Sequence, residues 1–359
     1  MSSLNNPNPK VVIIGAGLCG LLIANRLKNL EVSVLVLEAR NRIGGRIFTL
    51  APENGPPLEM GATWFGTKHT NLTQLLQELN LPYFEQYIKG TAYFEPFSTA
   101  PPQAIELPQR DSTFRIAGGS NQIINNLAEG LNKDELLLNH PVQELNFEQA
   151  NARAITKDFT IDSEYIISTV PPALLVNSVQ FEPHLPDALV DIAQHTQTWM
   201  QDAIKTAVIY EDAFWRNKQL SGTIFSNVGP LNEFYDHTDY ESAKFALCGF
   251  VNGAFTGFTI NERKERVNAQ LSRIFGQVAM DQISYVELIW ANEEYTKDTK
   301  SIGLYPHQNN GHYIYESSWF DNRMFIAGSE TSKEFPRYMD GAVYSALSTA
   351  EKIINLINE

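Results

Sequence analysis

The chain has 359 residues, enough for two domains or one elaborated one. Hydrophobic residues make up 43% and charged residues 19%, the balance of an ordinary soluble globular protein. Lysine and arginine total 27 against 41 aspartates and glutamates, a net charge of -14 that argues against nucleic acid or an anionic membrane as the main partner. The two cysteines, Cys19 and Cys248, cannot build a disulfide framework, and no C-x-x-C occurs, so a reducing, cytoplasmic compartment is expected. The opening MSSLNNPNPK has no apolar core, so no signal peptide is expected. No apolar run approaches the roughly 18–20 residues of a membrane span.

Residues 11–14, VVII, are continuous and β-branched, the pattern of a strand buried on both faces of a parallel sheet. The loop Gly15, Ala16, Gly17, Leu18, Cys19, Gly20 follows as G-x-G-x-x-G and leads into a helical pattern. Gly15 permits a sharp turn, Gly17 lets the backbone approach a pyrophosphate, and Gly20 lets helix and strand pack closely. The helix N-terminus then offers free N–H groups and partial positive charge to phosphates. Cys19 reads as a small residue filling this turn. A second strand over 32–37 ends on Glu38, where a carboxylate can accept ribose hydroxyls. Strand, glycines, helix, strand and acid together indicate a bound dinucleotide. The glycines alone do not separate NAD from FAD.

The next residues are more specific. Glu38, Ala39, Arg40, Asn41, Arg42, Ile43, Gly44, Gly45 and Arg46 place a second glycine pair and a basic cluster directly after the acid. This EARNRIGGR block resembles the FAD-binding signature of the flavin-containing monoamine oxidase family, short bacterial type. That resemblance implies an α/β fold, α+β in its second domain. The first part is a Rossmann-like FAD/NAD(P)-binding domain of the glutathione-reductase type, the second a smaller mixed-sheet substrate domain. It implies an FAD domain from 1–84, 114–194 and 293–359, and a substrate domain from 85–113 and 195–292.

Along the chain, residues 51–57 form a Pro/Gly-rich loop within a hairpin-like segment. The resemblance makes Gly61, Ala62, Thr63 and Trp64 cofactor neighbours, although Trp64 by itself reads more readily as core packing. Leu72, Leu75, Leu76 and Leu79 have helical spacing. Residues 81–113 read as irregular strands of the second domain. Relatives carry a long helical insertion there that covers the substrate cavity. Here only about thirty residues precede the next family marker, FRIAGGSNQI, so substrate-size arguments from relatives do not transfer. Ser120 is the expected N-cap of a helix. Residues 136–145 read as one strand, within which the family's Pro-Val step makes Val142 an adenine contact. A strand over 165–170 ends at a proline pair.

Residues 204–210 form a strand in which Lys205, Ala207 and Ile209 share a face. By pattern alone Lys205 snorkels to water at the strand's start. The resemblance, carried by the following Phe214-Trp215-Arg216, instead makes it the lysine that holds a water against flavin N5. Strands over 221–226 and 245–251 and a helix over 262–275 continue the second domain. His237 stands among acids, but no spacing fits a metal ligand set, and no metal is expected. A strand over 284–290 ends at Trp290, resembling the family's tryptophan under the flavin. Relatives with covalently bound flavin carry a cysteine near the positions of Thr299 and Lys300, and none stands here. Non-covalent FAD is therefore expected.

Near the C-terminus Gly328, Ser329 and Glu330 follow a strand, and Tyr338 and Met339 open an apolar helix. These resemble the family's second FAD contact, with the helix N-terminus at the flavin pyrimidine. Tyr338 matches one wall of the family's two-aromatic cage for the amine; the other wall falls at Lys300. No membrane anchor like that of mitochondrial relatives is expected.

The resemblance implies an FAD-dependent amine oxidase: hydride passes from the carbon beside nitrogen to flavin N5, with Lys205 and Tyr338 as catalytic residues. Its partners are a small-molecule amine and O2, reduced to H2O2. Two alternatives are an FAD-dependent desaturase or dehydrogenase of a carbon substrate, and a catalytically weak flavin-bound partner-binding protein.

Overall fold

The computed structural model describes residues 8–108, 111–298 and 303–359. Val11–Ile14 (β1) is buried at every residue and lies at the centre of a parallel sheet. The sheet order is Leu136–Leu137, Val34–Leu37 (β2), β1, Tyr165–Ser168, Met324–Ile326, every pair parallel. Burial on both faces explains why these strands are continuously apolar rather than alternating. On one face the helix Leu18–Lys28 (α1) and the C-terminal helix Met339–Asn358 share a core, including Leu21, Leu22, Val343, Ala346 and Ile353. The other face packs on a four-stranded sheet through Leu145, Ala154, Ile161 and Phe181. This is the expected Rossmann-like α/β architecture.

Three local expectations are corrected. The strand over 136–145 is two pieces: Leu136–Leu137 joins β2, while Val142–Asn146 belongs to the four-stranded sheet. Asn139 turns left-handed between them (φ 65) and Pro141 donates no hydrogen bond, so the segment crosses the end of β2. There Asn139 N–H and His140 N–H donate to the carbonyls of Arg40 and Glu38. Ser120 precedes the helix Asn121–Glu129 without capping it by its hydroxyl. Its backbone is already helical, and its N–H donates instead to Glu59 Oε1 at 2.5 Å. The strand expected to run to 170 ends at Ser168, because Thr169 folds back, its hydroxyl donating to the Ile14 carbonyl at 2.9 Å.

The second sheet has seven strands, in the order Gln282–Ile289, Ile204–Tyr210, Phe245–Val251, Leu231–Asp236, Leu220–Ser226, Thr91–Glu95, Gln103–Ile105. Its two faces follow from the period of two. Ile204, Val208 and Tyr210 point to a core shared with the helix Ile260–Phe275. Ala207 and Ile209 meet Leu58 and Met60 on the opposite face. Lys205 shares that second face and is aimed at the segment after Met60.

Candidate active site

A cavity of about 430 Å³ runs from Glu38 and Val142 at one end to Tyr338 and Trp199 at the other. The phosphate end is built by α1 and two glycine turns. A Cβ on Gly20 would lie 2.0 Å from the Gly15 carbonyl oxygen, so helix and strand touch there only because that atom is missing. Gly15 needs its freedom for conformation, at φ +105. Gly17 differs: a Cβ there would meet no atom nearer than 4.0 Å, so its backbone borders the open cavity. The first-turn N–H groups of α1 have no helical acceptor, and Leu18 and Cys19 line the cavity beside them. Gly44 N–H donates to the Ala16 carbonyl at 2.8 Å, which brings Gly44 and Gly45 against the first loop. This cradle fits a diphosphate.

Glu38 is buried and organises the loop. Its Oε2 accepts from Ala16 N–H at 2.8 Å and its Oε1 from Arg40 N–H at 2.9 Å. Ala39 and Arg40 line the cavity, and Arg40 pairs with Glu293 at 3.2 Å. Burial pushes the Cys19 thiol up to about 12, which makes it inert at neutral pH.

At the far end the wall is Ala62, Arg46, Trp199, Met200, Gly328, Ser329, Arg337, Tyr338 and Met339. Arg46 reaches Glu330 through both carboxylate oxygens, at 2.5 and 2.7 Å. Burial alone would raise the Glu330 carboxyl; the Arg46 guanidinium and the Ser329 hydroxyl more than offset it and hold it low. Glu330 itself does not border the cavity, and acts on it through Arg46.

Lys205 is 1% exposed, so it does not snorkel. Its Nζ donates to Thr63 Oγ1 at 2.9 Å and to the Gly61 carbonyl at 3.3 Å. The rings of Trp64 and Phe250 each lie 4.4 Å away. Burial lowers its pKa, and no carboxylate stands within ion-pair distance among the described residues. Ala62 lines the cavity between the two residues that hold Nζ, so Lys205 sits directly behind that wall.

Gly61, Thr63, Trp64 and Trp290 thus support the lysine and its turn rather than bordering the cavity. Gly61 packs where a Cβ would come 2.1 Å from the Arg46 carbonyl oxygen. Trp64 Nε1 donates to Gln86 Oε1 at 2.8 Å. Trp290 is fully buried, and its Nε1 donates to the Met60 carbonyl at 2.7 Å. Tyr338 borders the cavity and is 46% exposed. Thr299 and Lys300, including the expected second cage wall, lie outside the described residues. His237 is buried as a hydrogen-bond acceptor for Glu59 N–H, and no metal-binding cluster occurs among the described residues. Trp199, Met200, Thr169, Tyr295 and Arg337 were not legible as site residues. Only the charged residue directly before Tyr338 offered a signal.

A dinucleotide cradle joined to a second sheet that sends a buried lysine behind its far wall defines a Rossmann-type oxidoreductase. The profile of the family described as "Flavin containing amine oxidoreductase" matches residues 18–99 and 87–354. The chain belongs to that family and is a flavin-dependent amine oxidoreductase. It is 24% identical to a probable flavin-containing monoamine oxidase A of Dictyostelium discoideum, over 96% of this chain and 97% of that protein. A putrescine oxidase of Kocuria rosea is 24% identical over 80% of this chain and 83% of its own length. The solved structure of cyclohexylamine oxidase from Brevibacterium oxydans is 19% identical and superposes with a TM-score of 0.85, covering 98% of this chain and all of that one (100%). No helix among the described residues is long and apolar enough to cross a membrane.

Proposed function

We propose that the flavin is FAD, held without a covalent bond, and that the chain oxidises a small primary or secondary amine with O2 as electron acceptor. The chemistry FAD supplies when bound is two-electron oxidation of the carbon–nitrogen bond. Glu38 and Val142 receive the adenosine, and the α1 loop with Gly44 and Gly45 receives the diphosphate. The cysteines support a non-covalent mode: Cys19 belongs to the phosphate loop and Cys248 to the second sheet, both buried. Flavin released into solution by acid agrees with this; flavin that stays with the precipitate overturns it. The relatives named for putrescine and cyclohexylamine support the amine class. The same reading divides the chain into an FAD domain (1–84, 114–194, 293–359) and a substrate domain (85–113, 195–292).

The observation that carries the catalytic assignment is Lys205. An ammonium has three N–H donors, and protein acceptors take two. The third is available to hold a water at the wall formed by Ala62. A cation there also favours charge arriving on oxygen. Tyr338 flanks the amine from the exposed side.

Lys205→Met tests the role. The variant binds flavin normally and loses about 10²-fold or more in turnover. Because burial lowers the lysine from its ordinary 10.5, wild-type reaction with O2 declines with rising pH earlier than for an exposed ammonium, and the variant lacks that decline. A yellow variant with the wild-type rate removes Lys205 from the mechanism. Flavin that no amine reduces under anaerobic conditions overturns amine oxidation and leaves the flavin-carrying reading.

A further inference from the structure

Three arginines line the cavity, and two are neutralised: Arg40 by Glu293 at 3.2 Å and Arg46 by Glu330 at 2.5 Å. Arg337 differs. Among the described residues no carboxylate lies within ion-pair distance of it. Its partners are neutral: one terminal nitrogen donates to Gln197 Oε1 at 3.3 Å, the other to His307 Nε2 at 2.7 Å, and the guanidinium stacks 5.0 Å from the Trp199 ring. His307 must then be unprotonated at Nε2 to accept. Arg337 Nε is buried without a partner. In a chain of net charge -14, an unneutralised guanidinium inside a cavity is a local feature. The backbone points the same way. Arg337 has φ +73, where glycine is the undemanding residue, yet a long cationic side chain stands there directly before Tyr338.

We propose that Arg337 is a specificity-determining residue that receives a carboxylate of the substrate, so that the amine oxidised here carries an anionic group on the same small skeleton. The proposal rests on the amine-oxidase reading above. A guanidinium presents its N–H groups in one plane, in the geometry of a carboxylate, and each terminal nitrogen keeps one N–H that Gln197 and His307 do not use. His307 and Gln197 hold the head group without cancelling its charge. Trp199 and Tyr338 then provide flat apolar walls for the carbon skeleton.

The flavoprotein is assayed with two matched pairs, leucine against 3-methylbutylamine and 4-aminobutyrate against butylamine. Binding of the unreactive carboxylates isovalerate and butyrate is measured by calorimetry. In the wild type, the carboxylate-bearing member of at least one pair has the higher kcat/KM. In Arg337→Gln and Arg337→Gly its kcat/KM falls by about a hundredfold, mainly through KM, while the plain amine is little changed. Binding of the matching carboxylate is lost in parallel. Arg337→Gly accepts φ +73 without strain, so its thermal midpoint stays at or above the wild type's. Plain amines equal to or better than both carboxylate partners in the wild type overturn the proposal. So does an equal loss for both members of a pair, or loss of flavin with discrimination intact, which assigns the guanidinium to the cofactor. If no amine reduces the flavin but isovalerate or butyrate binds through Arg337, the anion site stands and the amine-oxidase reading falls.

Discussion

The two ends of the cavity are built by different means. At the phosphate end the left-handed lining residues are glycines, Gly15 at φ +105, Gly44 at +99 and Gly45 at +57. At the far end one glycine, Gly328 (φ 144), is joined by Met200 (φ 76) and Arg337 (φ 73), which take positive φ with full side chains, and Phe335 (φ 41) precedes Arg337 in the turn into Tyr338. A glycine adopts that conformation at no steric cost, whereas an L side chain needs surrounding contacts to hold it there, at about 1–2 kcal/mol each. The phosphate end is therefore shaped by backbone. The far end holds particular side chains in demanding positions, and the function proposed above puts selectivity there.

The contrast can be broken or sharpened by substitution. The largest effect is expected from Gly20→Ala, whose new Cβ would fall 2.0 Å from the Gly15 carbonyl oxygen. Helix and strand must separate, at a cost above about 4 kcal/mol, and no folded, flavin-bound protein is expected. A normal denaturant transition for this variant would refute the close-packing account of the loop. Next comes Glu330→Gln, which leaves Arg46 facing a neutral group in a buried site, at about 3 kcal/mol. The wild-type carboxyl is held below its ordinary 4.5, because Arg46 and Ser329 outweigh burial. Its contribution is thus complete above 4.5 and is lost as pH falls through the lower folded-state value. The glutamine variant should lose that acid-side slope in its stability-versus-pH curve; an unchanged slope would show that Glu330 is not its source.

The smallest effect on folding is expected from Gly17→Ala. Its φ of -79 suits any residue and a Cβ there meets nothing nearer than 4.0 Å, so stability should move by less than about 0.5 kcal/mol. Flavin affinity should instead fall by about 1–3 kcal/mol, because the methyl occupies space open to the diphosphate. Titrating the apoprotein with FAD measures this, and unaltered affinity would detach Gly17 from the phosphates.

Much of the phosphate end was legible because its geometry is local. β1, the glycines, α1 and Glu38 lie within one short run, and each residue type answers a constraint set by its chain neighbours. The lysine strand was also legible, Ile204–Tyr210 having the expected bounds. Pattern alone, however, sent Lys205 to water. The break between Leu136–Leu137 and Val142–Asn146 was hidden because an apolar run does not say which sheet it joins. The unused hydroxyl of Ser120 was hidden because its N–H found Glu59, 61 positions away.

The amino-acid order by itself carried the expectation of a bound dinucleotide and of its place, and pointed to the flavin amine family to which the chain belongs, since glycine spacing and a strand-end acid act through backbone sterics over a few residues. Only the tertiary structure decided that Lys205 lies behind the wall at Ala62, that Glu330 acts through Arg46, and that Arg337 stands in the cavity with no counter-ion among the described residues. Those facts depend on which distant segments fill the space around each charge, and burial and pairing belong to the packed molecule rather than to any stretch of chain.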